Sequence, residues 1–422
     1  MLRRIKPADV SANRRSAVDP VTLREAALIV DDVRENGEAA LVKHALRLGD
    51  MKEGDPLVLD RGALKKALGK IDAADRDVLE RTAERIRKFA GAQRKSLKEL
   101  KAAIPGGSAG HFISPVDRAG CYAPGGRFPL PSSVLMTVIT AKTAGVKEVW
   151  AASPRPSTMT IASAAVAGAD ALLCAGGAQA IAAFAYGAGK VPRCDMIVGP
   201  GNRWVTAAKK LVSGDVGIDM LAGPSELVVV ADESADPAVI TADLLAQAEH
   251  DTDAIPILVA ISTGMITAVE KELQSQLEGL PTAGNARIAL TNGYMVVVKN
   301  IEEAISVCDR IAPEHLELQF KGASKMARRF GNYGALFIGG GSAEVFGDYG
   351  AGPNHVLPTG GTARFSGGLS VFNFMRVRTW MKIDSGNKSR RLASDTTALA
   401  RMEGLEAHAR AAEKRMRKKI LD

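Results

Sequence analysis

Between Gly120 and Leu211 the chain alternates short apolar segments with longer helical segments, and this alternation restricts the possible folds more than any other feature. Each apolar segment has the length of a β-strand and leads into a run with helical spacing. Repeated strand–helix units build a parallel sheet covered by helices on both faces, with ligands bound beyond the carboxyl ends of the strands. Glycine turns follow three of the predicted strands and would let the backbone approach a phosphate or nucleotide; they are Gly125-Gly126, Gly176-Gly177 and Gly199 to Gly201.

The same pattern returns after Gly223, so the sequence predicts a second α/β unit. Residues 1 to about 100 are polar with helical spacing, a Gly106-Gly107 pair marks a predicted boundary, and the chain is again polar and helical from Asn387. The predicted strands are 119–122, 147–152, 171–174, 195–198, 227–231, 255–260, 294–298 and 335–338.

Charge and composition argue against a nucleic-acid-binding protein. The net charge is +8, but the basic residues cluster in helix-like stretches near the ends of the chain, interleaved with Glu, Ala and Leu. Only 5% of the residues are aromatic, so no stacking platform accompanies them. At 422 residues, the length indicates roughly two to three domains.

The cysteines and the apolar segments indicate a cytoplasmic protein without a membrane span. Cys121, Cys174, Cys194 and Cys308 form no CxxC pair, which suits a reducing compartment. The basic N-terminus is followed by no apolar region of a secretion signal. The longest uncharged run, Ala171 to Gly189, is too weakly apolar to cross a bilayer.

One predicted helix ends in a possible ligand pair. Asp236 and Pro237 are typical of an N-cap and a first helical position. Gln247 and His250 follow at the far end, one turn apart, so both side chains point to the same side. Such a pair can bind a metal ion or a substrate, but it is more often solvated or hydrogen-bonded, and glutamine is an uncommon metal ligand. Spacing alone leaves both interpretations open.

Other acidic residues and histidines lie in compact polar motifs. Glu314 and His315 follow a proline, and an adjacent acid and imidazole suit a reaction with more than one proton transfer. Asp348 and His355 bracket a glycine-rich loop, and Glu403 and His408 lie on a C-terminal helix. Carboxylates and neutral imidazoles are good zinc ligands, but groups this dispersed cannot be assigned from spacing.

A partial dinucleotide fingerprint is set aside. Gly339-Gly340-Gly341 follows a predicted strand, but Glu344 occupies the place of the third glycine.

Nine motifs in order resemble the histidinol dehydrogenase family and span Tyr122 to His408. Any one of them is weak, but nine in register are highly specific. The motifs are Tyr122-Ala-Pro-Gly-Gly126, Gly176-Gly-Ala-Gln179-Ala, Gly199-Pro-Gly-Asn202, Ala222-Gly-Pro-Ser225-Glu226, Gln247-Ala-Glu-His250, Pro313-Glu314-His315-Leu, Gly347-Asp348-Tyr, Asn354-His-Val-Leu-Pro-Thr359 and Glu403-Gly-Leu-Glu-Ala-His408.

The resemblance implies a site for one zinc ion per subunit, a site for NAD and a site for L-histidinol. It also implies a homodimer in which the partner subunit donates one zinc ligand, the residue matching His408. The implied zinc ligands are Gln247, His250, Asp348 and His408; the acid/base pair is Glu314 and His315; the NAD contacts are Tyr122, Gln179 and Asn202; and the substrate contacts are Ser225, Glu403 and His315 together with the zinc ligands.

The implied reaction oxidises L-histidinol through L-histidinal to L-histidine with two NAD, the last steps of histidine biosynthesis. Zinc would hold the amino alcohol through its amine and imidazole nitrogens. His315 would take the hydroxyl proton in the first oxidation, and Glu314 would activate water in the second.

The predicted fold class is α/β, with two Rossmann-like domains, mainly parallel sheets and small helical segments at both termini. The predicted boundaries are 1–20 for an N-terminal helical segment, 21–119 with 229–370 for the first α/β domain, 120–228 for an incomplete Rossmann-like NAD domain, and 371–422 for a C-terminal helical segment that reaches the partner subunit.

The chain departs from the family pattern at Ala123, at Arg127-Phe128 and at Ala343 to Phe346, where the family commonly has a proline-glutamate-serine run. The nearest alternative function is a related NAD-dependent dehydrogenase of another small alcohol such as sulfopropanediol. Pro313, Ser225, Glu403 and His408 favour the histidinol pattern over it. A zinc hydrolase and an inactive relative are less well supported, because the glycine turns suit a nucleotide and no implied metal ligand is missing.

Overall fold

The computed structural model describes residues 2–11, 18–125, 129–384 and 387–416. Gly126 of the first glycine turn and the departures at Arg127 and Phe128 lie outside the described residues. The strands are β1 (Arg3–Ile5), β2 (Val58–Asp60), β3 (Leu100–Ile104), β4 (Gly107–Pro115), β5 (Arg118–Tyr122), β6 (Glu148–Ala152), β7 (Ala171–Leu173), β8 (Met196–Val198), β9 (Gly217–Ile218), β10 (Glu226–Ala231), β11 (Ile255–Ala260), β12 (Tyr294–Val297), β13 (His315–Gln319), β14 (Ala335–Ile338) and β15 (Met375–Ile383).

The helices alternate with these strands through most of the chain. They are α1 (Pro20–Arg47), α2 (Arg61–Leu68), α3 (Ala73–Ser96), α4 (Pro131–Ala144), α5 (Thr158–Ala167), α6 (Gly177–Tyr186), α7 (Arg203–Val212), α8 (Pro237–His250), α9 (Thr263–Glu278), α10 (Ala283–Asn292), α11 (Ile301–Ile311), α12 (Ala323–Met326), α13 (Glu344–Asp348), α14 (Asn387–Met402) and α15 (Glu406–Met416).

Six strands form sheet I, in the order β1-β12-β11-β10-β13-β14, and all neighbours are parallel. Its central strands are buried on both faces, as expected where helices cover a parallel sheet. Leu227 and Val229 pack with α8, α9 and α10 on one face, whereas Val228 and Val230 pack with α11 on the other. The strand order reverses direction between β10 and β13.

Sheet II has the order β2-β7-β6-β5-β8-β9, and only β2 runs antiparallel to its neighbour. Helices α1, α6 and α7 contribute to its core, where Phe184 is fully buried. Its order reverses between β5 and β8, which is where a doubly wound fold binds its ligand. These two sheets confirm the predicted fold class.

The chain divides into two compact units, and the second consists of the described parts of Gln93–Pro115 and Met375–Asp422. This unit holds the antiparallel sheet β15-β4-β3 and the packed helices α14 and α15. The Gly106-Gly107 pair, which was predicted to mark a boundary, lies in the β3–β4 hairpin: Gly106 is in its turn, and Gly107 begins β4. Gly106 has a φ of +83°, so the turn requires glycine there.

All eight predicted strands are present within one or two residues, and the polar C-terminal part is helical. The sequence analysis missed β1, β2, β9, β13, β15 and the β3–β4 hairpin. Within the described residues, no helix is both long enough and apolar enough to cross a membrane.

Candidate active site

Several of the predicted site residues lie together at the amino ends of the sheet I strands. Ser225 directly precedes β10, and Glu314 directly precedes β13, whose first residue is His315. Helix α8 runs back from the opposite end of the strands, so its last residue, His250, lies at the same end of the sheet as Ser225 and Glu314. Together with Asp348 these residues line one cavity of about 220 Å³.

His250, Glu344 and Asp348 form a candidate metal centre. One ligand atom of each lies within 4.8 Å of the others. The His250 Nε2 atom is 3.4 Å from Asp348 Oδ2 and 3.7 Å from Glu344 Oε1. Burial disfavours the charged imidazole, but Asp348 and Glu344 outweigh it and raise the pKa of His250 to about 10. Burial also opposes the charge of Asp348, yet the neighbouring histidines lower the pKa of its carboxyl group.

Gln247, one turn before His250, supplies an independent sign of a ligand-binding position. Its side chain is fully buried, and its Oε1 and Nε2 atoms have no hydrogen-bond partner among the described residues. Such orphaned buried groups are rare in folded proteins because each one costs free energy. An amide oxygen, an imidazole and carboxylates suit a divalent cation such as zinc, so these residues fit the predicted ion.

Glu314 is held rigidly and kept out of water. Its Oε2 accepts a hydrogen bond of 2.6 Å from the Ser225 hydroxyl and one of 3.0 Å from the Glu226 backbone N–H. Burial raises the pKa of this carboxyl group, despite the opposing hydrogen bonds and the nearby His315. A carboxylate with a raised pKa is suited to proton transfer near neutral pH. Ser225, predicted as a substrate contact, lines the cavity and orients Glu314.

His315 has its two ring nitrogens in different surroundings. Nδ1 is 3.2 Å from the Glu226 carbonyl oxygen, so it carries the proton in the neutral ring. Nε2 is buried without a hydrogen-bond partner among the described residues and lies 3.9 Å from Asp348 Oδ1. The lone pair on Nε2 is therefore available to a substrate proton. Burial opposes the charged form, but Glu344, Glu314 and Asp348 raise the pKa of His315.

Two further residues belong to this cavity or its metal centre and were not predicted. His355 lines the cavity, with Nδ1 3.0 Å from the Asp348 carbonyl oxygen and Nε2 3.2 Å from the Ser133 hydroxyl oxygen. Burial lowers the pKa of His355, which keeps its ring neutral. Glu344 had been set aside as a fingerprint mismatch, but it lies one turn before Asp348, and this i,i+4 spacing was the signal that could have identified it.

A second cavity, of about 360 Å³, lies at the carboxyl ends of the sheet II strands and is lined by Tyr122, Gln179 and Asn202. The structure therefore brings the three predicted NAD residues together. Each is also held by the fold: the Tyr122 hydroxyl accepts from Gly177 N–H, and Asn202 Oδ1 caps α7. The Gln179 amide donates to Asp50 Oδ2 at 2.6 Å, so Asp50 is a pocket residue that the sequence analysis missed.

The glycine loop after β8 is anchored by a buried ion pair. Lys209 on α7 donates to the Gly199 carbonyl oxygen at 3.1 Å and to Asp219, and both charged side chains are almost fully buried. Asp219 in turn accepts from Gly199 N–H at 2.7 Å. Both polar groups of the Gly199 backbone are therefore fixed beside the cavity that Asn202 lines.

The two remaining predicted site residues lie in the second compact unit. Glu403 is in the turn between α14 and α15, and His408 is on α15. Both side chains are exposed. Their roles as substrate contact and metal ligand remain predictions.

Comparison with known proteins identifies the family. The sequence profile described as histidinol dehydrogenase matches residues 12–416. The histidinol dehydrogenase of Thermus thermophilus is 46% identical over 401 residues, covering 94% of this chain and 96% of that protein. The enzyme of Dechloromonas aromatica is 40% identical over 426 residues, covering 97% and 98%.

A solved structure agrees with these sequence matches. The crystal structure of histidinol dehydrogenase from Elizabethkingia anophelis superposes with a TM-score of 0.92 at 28% identity, and the match covers 98% of each chain. Sequence and fold agree over nearly the full length, and the chain therefore belongs to the histidinol dehydrogenase family.

Proposed function

We propose that this protein oxidises L-histidinol to L-histidine through L-histidinal, with NAD as the hydride acceptor and one zinc ion per subunit. The observation that carries the proposal is the meeting of the orphaned Gln247 amide, the His250–Glu344–Asp348 centre and the Glu314–His315 pair at one end of sheet I. The family membership supplies the substrate.

Gln247, His250 and Asp348 are the residues of the first unit that would hold the zinc ion, and His408 is the proposed fourth ligand. Bound there, zinc would fix the amine and imidazole nitrogens of the substrate and place its hydroxyl group for reaction. Glu344 is close enough to neutralise the charge of the centre.

His315 serves the first oxidation. Its Nε2 lone pair accepts the hydroxyl proton of histidinol as a hydride leaves the carbinol carbon, and the aldehyde results. The Glu226 carbonyl keeps the Nδ1 proton in place, so Nε2 remains the basic nitrogen throughout.

Glu314 serves the second oxidation. Its carboxylate takes a proton from a water molecule that adds to the aldehyde, and the gem-diol then loses a second hydride to become the carboxylate product. The hydrogen bonds from Ser225 and Glu226 hold this base in one position, and its burial keeps bulk water away from the reactive aldehyde.

The cavity at the end of sheet II is the proposed NAD site. Its glycine turns bring backbone close to the ligand, and Tyr122, Gln179 and Asn202 line it. We infer a homodimer in which His408 completes the metal centre of the other subunit. The domain boundaries remain predictions, but β1 lies within the proposed helical segment 1–20, and α1 and β2 pack with sheet II. The four cysteines of the chain are unpaired and buried, which agrees with a cytoplasmic location.

The decisive experiment counts the NADH released for each L-histidinol consumed by purified, zinc-loaded protein. Two oxidations give about two NADH per substrate. In a Glu314→Gln variant the first oxidation continues and hydration slows, so the ratio falls toward about one and aldehyde becomes trappable. Turnover of another small alcohol but not of histidinol would move the protein to a sister specificity.

A further inference from the structure

Beneath the metal centre lies a group of buried polar side chains that the reaction does not use. We call Asp243, Glu317 and Gln319 the buried acid cluster; their exposed fractions are 7%, 1% and 5%. The Gln319 Nε2 atom donates to Asp243 Oδ2 at 2.8 Å and to Glu317 Oε2 at 2.9 Å. One amide group therefore joins two buried carboxyl groups, an arrangement that is costly unless every member is satisfied.

The cluster touches the three elements that carry His250, His315 and Asp348. Asp243 lies on α8, one turn before Gln247 and on the same side of the helix. Glu317 lies on β13, two residues after His315, so both side chains leave the same face of sheet I.

The third connection runs to α13. Glu317 Oε1 accepts a hydrogen bond of 2.7 Å from the backbone N–H of Glu344, four residues before Asp348. Helix α13 has only five residues and follows a glycine-rich turn, and its first residue is the one that bonds Glu317. The Glu317–Glu344 bond thus fixes the start of the short helix that carries Asp348.

We propose that Glu317 is a positioning residue that sets the mutual geometry of α8, β13 and α13 and so shapes the metal centre. Its two carboxyl oxygens act on different elements: Oε2 is linked through Gln319 to α8, and Oε1 holds α13. The inference rests on the proposed zinc-dependent function. It assigns Glu317 no contact with substrate or with the ion.

In this role the length of the Glu317 side chain matters, and its negative charge does not. Gln at position 317 keeps an oxygen at the same distance for the Glu344 N–H, the bond that holds α13, and loses only the acceptor for the Gln319 amide. Asp at position 317 keeps the charge but withdraws the oxygens by one methylene group. A residue that acted only through its charge would respond in the opposite way to these two substitutions.

The test compares Glu317→Gln and Glu317→Asp with wild type, and measures zinc affinity by titrating metal-free protein against a chromophoric chelator. Glu317→Asp is expected to weaken zinc binding about 10- to 100-fold, as loss of a supporting hydrogen bond around a metal site does. Glu317→Gln is expected to stay within about threefold of wild type. The KM for NAD remains unchanged in both variants.

Thr241→Val is the matched control, because Thr241 is fully buried on α8 and its hydroxyl has no hydrogen-bond partner among the described residues. It should leave zinc affinity unchanged. If Glu317→Asp binds zinc like wild type, or Glu317→Gln is the weaker of the two, the positioning role is wrong while the proposed function stands. If wild type neither binds zinc nor oxidises histidinol, the proposed function falls and this inference with it.

Discussion

At the scale of single residues, Gln247 is the most informative side chain in the molecule. Its amide is fully buried, and within the described residues it has no hydrogen-bond partner. Leaving a buried polar group unsatisfied costs about 1–3 kcal/mol, so the protein holds this side chain at the expense of its own stability. A ligand that binds the amide oxygen recovers that cost, which ties metal binding to folding.

Replacing Gln247 by methionine should therefore affect stability and metal binding in opposite directions. Methionine has a similar volume and no polar atom to desolvate, so the free energy of unfolding of the metal-free protein should rise by about 1 kcal/mol. Zinc affinity should fall at least about tenfold because a ligand is lost. Urea denaturation with and without zinc measures both effects. A metal-free variant less stable than wild type would show that the amide has a structural partner.

Individual residues of this site could be predicted from the sequence only where they lie in family motifs. The i,i+3 spacing of Gln247 and His250 was compatible with a ligand pair but equally with a solvated helix end. Nothing in local spacing relates α8 to Glu314, because their proximity arises from the pairing of β10 with β13. Glu344 was missed although it lies one turn before Asp348, because its contact with Glu317 on β13 forms only in the fold.

At the scale of elements, the glycine loop after β8 shows how a loop at a strand end is held in place. The Gly199 loop is fixed by charge, since Lys209 and Asp219 hold both polar groups of the Gly199 backbone. A buried ion pair adds little net stability when intact, but removing one partner leaves an uncompensated charge in the interior.

Lys209→Met should thus destabilise the protein by about 3–5 kcal/mol, the usual penalty for breaking a buried pair. The KM for NAD should also rise several-fold, because Gly199 loses its anchor beside the proposed cofactor site. Chemical denaturation and steady-state kinetics measure the two effects. Lys210→Met is the control: Lys210 is the neighbouring residue but exposed, and its replacement should change stability by less than about 0.5 kcal/mol. Equal effects of both variants would contradict the anchoring role.

Strands were predicted correctly where they are buried along their whole length, and short strands at the edges of the sheets were missed. Strands such as β10 and β11 are apolar along their whole length, and that pattern is readable without a fold. By contrast, β1, β2 and β9 have three, three and two residues, too few to show a period. Strand β13 reads His-Leu-Glu-Leu-Gln. Its polar residues concealed the strand in the sequence, and in the structure they line the buried face beneath the site.

At the scale of the whole molecule, the proposed fourth metal ligand decides whether a subunit forms its metal site alone or shares it with a partner subunit. His408 is exposed on α15, in a different compact unit from His250. If it serves the other subunit, each site of a dimer draws on two chains.

Mixing two inactive variants tests this arrangement. His408→Asn should lose metal and activity together, and so should His250→Asn. After unfolding and refolding the two as an equimolar mixture, mixed dimers contain one intact site each, and activity should return to about a quarter of the wild-type value. Refolding each variant alone is the control and should restore nothing. Full zinc occupancy in His408→Asn, or no recovery in the mixture, would contradict donation across the interface.

The placement of β1 has a consequence for the order in which the protein assembles during synthesis. Arg3 pairs with Tyr294, so β1 leaves the ribosome long before its partner strand is made. Sheet II needs nothing beyond Ile218 and can form in that interval. An unpaired strand invites aggregation, but β1 is short and begins with two exposed arginines, the features that protect a sheet edge from wrong partners. Its sequence thus suits a segment that spends much of translation alone.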